Sequence, residues 1–334
     1  MKLKTISAFI VILFITCSKE NINNQQNLQA SEISKAKNSL DTAKIPLNDL
    51  GTGTFNGYTG GLYPGGINTP SPGTYADDLL AISQSIIPID SFGNPSKGGK
   101  IVFISLGGST GGHNMRNLKA KTQGNPLTNS NLLLLNCDNG KKTASLNSQM
   151  NPDDPYWNHV TQILTGGAHS SYRQVQIIYV ETDDTSKNNI VFPDRSIKVK
   201  QDLQQCFRVY KQKFPNIKIV YLLARTRTFG NQERFNREPS PYYFGWACKW
   251  AIEDQINGVP GTEYKGEKPV SPLITWGFYQ WADSLPRTTD NFYWRFSETK
   301  DGLHANDEGG DTLSTRFQNF LLTDKNASLW YGAH

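Results

Sequence analysis

The 334-residue chain predicts a three-layer α/β/α sandwich around a central, mostly parallel sheet of five strands. Three observations predict it. Five short runs rich in Val, Ile and Leu recur along residues 100–278, each bounded by turn-forming residues. Amphipathic helical patterns lie between them, and strands that alternate with helices build a parallel sheet covered on both faces. The cysteines are few and far apart, so a sizeable apolar core rather than a disulfide framework must stabilise the fold.

In chain order, "KIVFISL" (100–106) follows the turn-like "GNPSKGG" and reads as the first buried strand. "NLLLLNC" (131–137), "VQIIYVE" (175–181), "IKIVYLLA" (217–224) and "PLITWGF" (272–278) are the other four. The spacing of Val199, Leu203, Cys206, Tyr210 and Phe214 predicts a helix over 196–214, with Ser196 as its cap and Cys206 on the buried face. Residues 155–165, 245–257 and 308–322 read as further helices, and "NPDDP" (151–155) as a turn that caps the first of these, without the spacing or His partners of a metal site.

The N-terminus is read separately. Lys2 and Lys4 precede an apolar run from Ile6 to Ile15, too short to remain as a membrane span and shaped like a secretory signal. Cys17 follows at once, and residues 1–17 resemble a lipoprotein signal in which this cysteine is acylated, though "FIT" departs from the usual small residues before it. Residues 18–50, rich in Asn, Gln, Ser and Lys, read as a flexible tether, and 51–334 as a single domain that opens with a packed Gly-rich loop, "GTGTFNGYTGGLYPGG". The expected location is the bacterial cell envelope, with membrane contact through the lipid anchor alone. A net charge of +5 with no dense basic stripe excludes a nucleic-acid partner.

Two stretches carry the chemistry. "ISLGGSTGGHN" (104–114) ends the first strand on four glycines that enclose Ser109 and Thr110. In a parallel sheet, ligands sit beyond the carboxyl ends of the strands, and a helix starting there aims free N–H groups at the same spot. A phosphate loop lacks its lysine and a Rossmann turn its glycine spacing, so a presented hydroxyl or a plain structural turn remains. In "KDGLHANDEGGDTL" (300–313), Asp301 and His304 are three residues apart, which lets a carboxylate fix the imidazole tautomer and leaves the other nitrogen free as a base. A serine needs such a base to attack an ester.

Together, "GGST" (107–110) and Asp301-x-x-His304 resemble the SGNH (GDSL-type) hydrolases. "GGLYPGGINT", "QVQIIYVE", "FPNIKIVYLLARTRTFG", "EPSPYYFGWACKWAIEDQI" and "WGFYQWAD" extend the resemblance, to an exported branch of that family, over about residues 50–334. It implies a flavodoxin-like fold, with Ser109 as nucleophile, His304 as general base and then acid, and Asp301 as its orienter. It also implies an oxyanion hole from the N–H groups of Ser109 and Gly140 plus a third donor after the third strand. There the family has Asn and this chain has "VETDDTSKNN", so Asp183 or Asp184 occupies the place, with Asn188 and Asn189 as substitutes. An ionised carboxylate repels an oxyanion, and losing one donor costs about 10²–10³ in rate.

The expected substrate is an acylated small molecule or glycan, with no metal or organic cofactor implied. Aromatic residues cluster late in the chain; Tyr243 and Trp281 are expected substrate contacts, against the alternative that such residues pack the core. Arg225, just past the fourth strand, pairs either with an acidic substrate group or with a nearby acid such as Glu238. A non-catalytic glycan-binding protein on the same scaffold is the alternative function.

Overall fold

The computed structural model describes residues 44–333 apart from 141–143, 186–189 and 234–235. Cys17, most of the predicted tether, Asn188 and Asn189 therefore lie outside the described residues. The packed domain starts earlier than the composition suggests: Leu47, inside the predicted tether, is fully buried at the start of the short helix α1 (Leu47–Leu50). The Gly-rich segment that follows forms a small antiparallel ribbon, β1 (Thr54–Phe55) with β2 (Tyr58–Thr59), and then a loop that buries Leu62 and Tyr63.

After helix α2 (Thr74–Gln84) come β3 (Ile101–Gly107), α3 (Ser109–Thr122) and β4 (Leu132–Asn136). The short helices α4 (Leu146–Gln149) and α5 (Tyr156–Thr161) lead to β5 (Val175–Glu181), α6 (Asp194–Lys213) and β6 (Ile219–Leu222). Helix α7 (Ser240–Ile256), β7 (Leu273–Trp276), α8 (Asp307–Thr323) and α9 (Ser328–Tyr331) complete the domain. Strands β3 to β7 pair in parallel in the order β4-β3-β5-β6-β7. This is the predicted five-stranded three-layer α/β fold.

All five predicted strands and all four helical patterns exist, with ends displaced by a few residues. Ser196 is not a cap: α6 starts at Asp194, and the Ser196 hydroxyl donates to the Tyr243 carbonyl on α7 (2.9 Å). Every residue of β3, β5, β6 and β7 is buried, which is why these runs carry no polar alternation. Cys137, Cys206 and Cys248 are free and buried. In the "NPDDP" turn, Asp154 Oδ1 accepts the Tyr156 N–H (2.9 Å) ahead of α5.

The strand order matters for the site. The chain leaves β3 for β4 on one side and then returns to β5 on the other, so the switch in direction falls beside the carboxyl end of β3. Crevices in open α/β sheets form there. Ser109 is the second residue past that end, after Gly108.

Candidate active site

Gly108 is the N-cap of α3, and Ser109 is the helix's first residue. The first N–H groups of a helix have no intrahelical acceptor, and the local dipole favours negative charge. Only Gly108 separates β3 from this point, so the Ser109 hydroxyl is fixed at the carboxyl end of the sheet by a fully buried strand. The glycines permit this. A Cβ on Gly107 would lie 2.8 Å from Asp138 Oδ1 and 2.9 Å from the Glu181 carbonyl, and one on Gly111 would lie 2.8 Å from the same Asp138 oxygen.

The second half arrives from residues 296–310. Ser109 Oγ is 2.7 Å from His304 Nε2, and His304 Nδ1 is 2.7 Å from Asp301 Oδ2. The other Asp301 oxygen accepts the backbone N–H groups of His304 (2.8 Å) and Leu303 (3.0 Å). Burial pulls the Asp301 pKa upward, but these backbone N–H groups and the His304 ring outweigh it and hold the carboxyl at about 2. A carboxylate ionised at every working pH keeps the proton on His304 Nδ1 and leaves Nε2 to accept from Ser109.

Neighbouring loops hold this arrangement. The Phe229 N–H donates to the Gly302 carbonyl (2.8 Å), and Gln232 Nε2 donates to the Asp301 carbonyl (2.7 Å). Asn306 caps α8 by accepting the Gly309 N–H (2.9 Å), and α8 packs along α3, where Lys121 pairs with Asp311 (2.6 Å). A Cβ on Gly310 would lie 2.5 Å from Asn117 Nδ2, so the Asn117 amide of α3 rests directly over this glycine. The rings of His113 and His304 are 6.3 Å apart. Burial, reinforced by Arg116 and Lys300, lowers the His113 pKa.

Beneath the turn lies a group of buried acids that sequence reasoning did not single out. Asp138 accepts a short hydrogen bond from the Ser105 hydroxyl, while its Oδ1 has no partner among the described residues. Burial pushes this carboxyl up to about 7, opposed by the Ser105 bond and more weakly by Arg116. Glu181 at the end of β5 accepts from Asn114 Nδ2 (2.5 Å). Burial pushes it up to about 8 against the pull of Arg225. The signal for Asp138 was its place at the end of the second strand, next to a glycine turn with no room for side chains.

The remaining expected site residues fare differently. Gly140 follows the same turn, one residue past Asn139, whose N–H donates to the Gly107 carbonyl (3.1 Å). Asp184 is fully enclosed and pairs with Arg195 (2.5 Å), so its carboxylate cannot touch a reacting oxygen; the expected role in the oxyanion hole is corrected on that ground. Asp183 bonds Arg195 (2.7 Å) and lies 3.5 Å from Arg225. Burial lifts the Asp183 carboxyl to about 6 despite both arginines.

Arg225 is buried and donates to Asn236 Oδ1 (2.6 Å), and Trp281 is buried with its indole N–H on Glu238 (3.0 Å). Neither is a substrate contact, because partners within the fold enclose both side chains. Tyr243 is half-buried and packs against Phe55 and Phe192. The aromatic cluster is core, as the alternative reading held.

No family model matches the chain, and no curated protein matches it. Among solved structures, it is similar to one titled a "putative acylhydrolase" from Bacteroides fragilis, at 12% identity and a TM-score of 0.38, covering 75% of this chain and 95% of that one.

Proposed function

We propose that the protein is an SGNH-type serine hydrolase that cleaves O-acyl esters through an acyl-enzyme on Ser109. One observation carries the reading: the unbroken series from Ser109 Oγ through the His304 ring to Asp301, with 2.7 Å at each link. Nothing in core packing requires a half-exposed imidazole between a hydroxyl and an ionised carboxylate. In the proposed reaction His304 Nε2 takes the hydroxyl proton as Ser109 Oγ bonds to the ester carbonyl carbon. The carbonyl oxygen becomes an oxyanion, met by the N–H groups of Ser109 and Gly140. Collapse breaks the bond to the alcohol oxygen, which leaves with the proton from His304. Water then bonds to the acyl carbon as His304 takes its proton, the bond from that carbon to Ser109 Oγ breaks, Oγ receives the proton from His304, and the carboxylic acid is released. An acetyl group on a carbohydrate is the proposed substrate, and the lipid-anchored cell envelope the proposed location.

The test is turnover of p-nitrophenyl acetate by the full-length protein and its Ser109→Ala variant. The wild type is expected to hydrolyse the ester and the variant to lose about 10³-fold or more. A fluorophosphonate probe is expected to label Ser109. Equal inertness of both proteins, with no labelling, overturns the reading in favour of a non-catalytic glycan-binding protein.

A further inference from the structure

Neither backbone nor packing within the fold requires a glycine at position 108. Its backbone is extended, with φ −91° and ψ −161°, a conformation open to any residue. Outside its chain neighbours, a Cβ built on it would meet one atom within 4 Å among the described residues, the Thr182 hydroxyl oxygen at 3.8 Å, which is ordinary contact. The missing side chain therefore leaves room beside Ser109 that the fold does not fill. We infer that this room receives the carbonyl oxygen of the ester and that the Thr182 hydroxyl donates to it as it becomes an oxyanion, an inference that rests on the hydrolase reading.

The sheet places Thr182 for this. Gly107 and Glu181 are partners in the parallel register of β3 and β5, so Gly108 and Thr182 leave the two strand ends side by side. The residue that follows holds the threonine in place: the Asp183 carbonyl accepts the Leu146 N–H (3.2 Å), and its carboxylate accepts from Arg195 (2.7 Å). A Cβ on Gly108 would stand about 2.5 Å from the Ser109 nitrogen, so Thr182 Oγ1 lies within about 6 Å of that N–H. One oxygen that accepts from two donors at roughly 3 Å each spans such a gap.

Of the other hydroxyls against the turn, two are committed. Ser105 donates to Asp138, and Thr110 bonds the Glu181 carboxyl. Thr182 is buried, and its acceptor among the described residues is the Ala144 carbonyl at 3.5 Å, well beyond the roughly 2.7–2.8 Å usual for a hydroxyl. A proton so loosely held turns to a closer acceptor, and a charged oxygen is a stronger one than a distant amide carbonyl. Thr182, and neither aspartate after it, is then the residue of "VETDD" that meets the reacting oxygen.

The experiment measures kcat and KM for p-nitrophenyl acetate with full-length wild type, Thr182→Val, Thr182→Ser and Gly108→Ala. Valine keeps the shape and removes the donor, so kcat should fall about 10²-fold while KM stays within about twofold, because the bond forms only in the transition state. Serine keeps the hydroxyl and should hold kcat within about tenfold of wild type. Gly108→Ala should melt within a few degrees of wild type yet lose most of its turnover, since the methyl takes the place of the oxygen. Thermal melts verify folding, and Gly108→Ala carries the test should Thr182→Val unfold. A merely structural threonine would lower stability and leave the kcat of the folded protein alone. With an active wild type, an unchanged kcat in folded Thr182→Val, a Thr182→Ser as slow as Thr182→Val, or full turnover by Gly108→Ala overturns the inference while the hydrolase reading stands. An inert wild type whose Ser109 a fluorophosphonate fails to label overturns both.

Discussion

Asp138→Asn should flatten the pH dependence of folding stability. The side chain is buried, Ser105 donates to one of its oxygens, and burial lifts its pKa from the ordinary 3.8 to about 7. A carboxyl whose folded pKa is raised holds its proton more tightly in the native state than in the unfolded chain. Stability from this group is therefore fully present below about pH 4, falls as pH rises toward 7, and is flat above it. The penalty above pH 7 amounts to about 4 kcal/mol at about 1.4 kcal/mol per pH unit, an order-of-magnitude figure. Asparagine keeps the shape and a donor but never ionises. The variant should match the wild type near pH 4 and exceed it by up to a few kcal/mol at pH 8. Urea unfolding of both proteins between pH 4 and 9 measures the difference, which cancels the separate slope from Glu181. Parallel curves, or a variant weaker than wild type at pH 8, would show Asp138 to be a native anion and refute the reasoning.

Asp301→Asn should lower kcat for p-nitrophenyl acetate by about 10³–10⁴ with little change in melting temperature, because an amide no longer fixes the His304 tautomer; an unchanged kcat assigns Asp301 to the surface. Adjacent glycines on α8 should differ sharply. In Gly309→Ala the new methyl meets the Glu298 backbone carbonyl and the Trp294 ring, so a loss of about 1–3 kcal/mol is expected, with reduced turnover as the His304 loop shifts. In Gly310→Ala it meets only the Asn117 amide, which can swing aside, and thermal melts should show a far smaller effect.

Strand β5 was legible residue for residue because a doubly covered parallel strand is apolar throughout, and "VQIIYVE" shows it without reference to any partner. Ser109 and His304 were legible for another reason: each stands in a local motif whose chemistry constrains its neighbours. The boundary at residue 50 was misread because residues 44–50 carry only two large apolar side chains that pack, Leu47 and Leu50, too few for composition to register. Arg225 and Trp281 were misassigned because a cation or an indole past a strand end has the same sequence signature whether it faces solvent or an internal partner. Their partners, Asn236 and Glu238, sit on the loop after β6, and only the fold reveals that this loop closes over them.

The apparent conflict at "VETDD" has a physical resolution in the same interior. A carboxylate at the rim would oppose an oxyanion, but Arg195 reaches both Asp183 and Asp184, and Arg225 lies near the first. Two arginines against two acids remove the net charge that made the replacement look prohibitive. Asp138 lies against the glycines of the Ser109 turn, its Oδ1 2.8 Å from a Cβ placed on Gly107 or Gly111, and two effects compete there. The N-terminal dipole of α3 favours an anion by about 0.3–2 kcal/mol, whereas full burial of a carboxylate costs several. Burial wins below about pH 7, where the carboxyl is mainly protonated. Below that pH the neutral acid lets the glycine turn pack against it without placing a charge beneath the Ser109 hydroxyl. The four glycines around Ser109 are thus set by what lies beneath the hydroxyl as much as by what it presents.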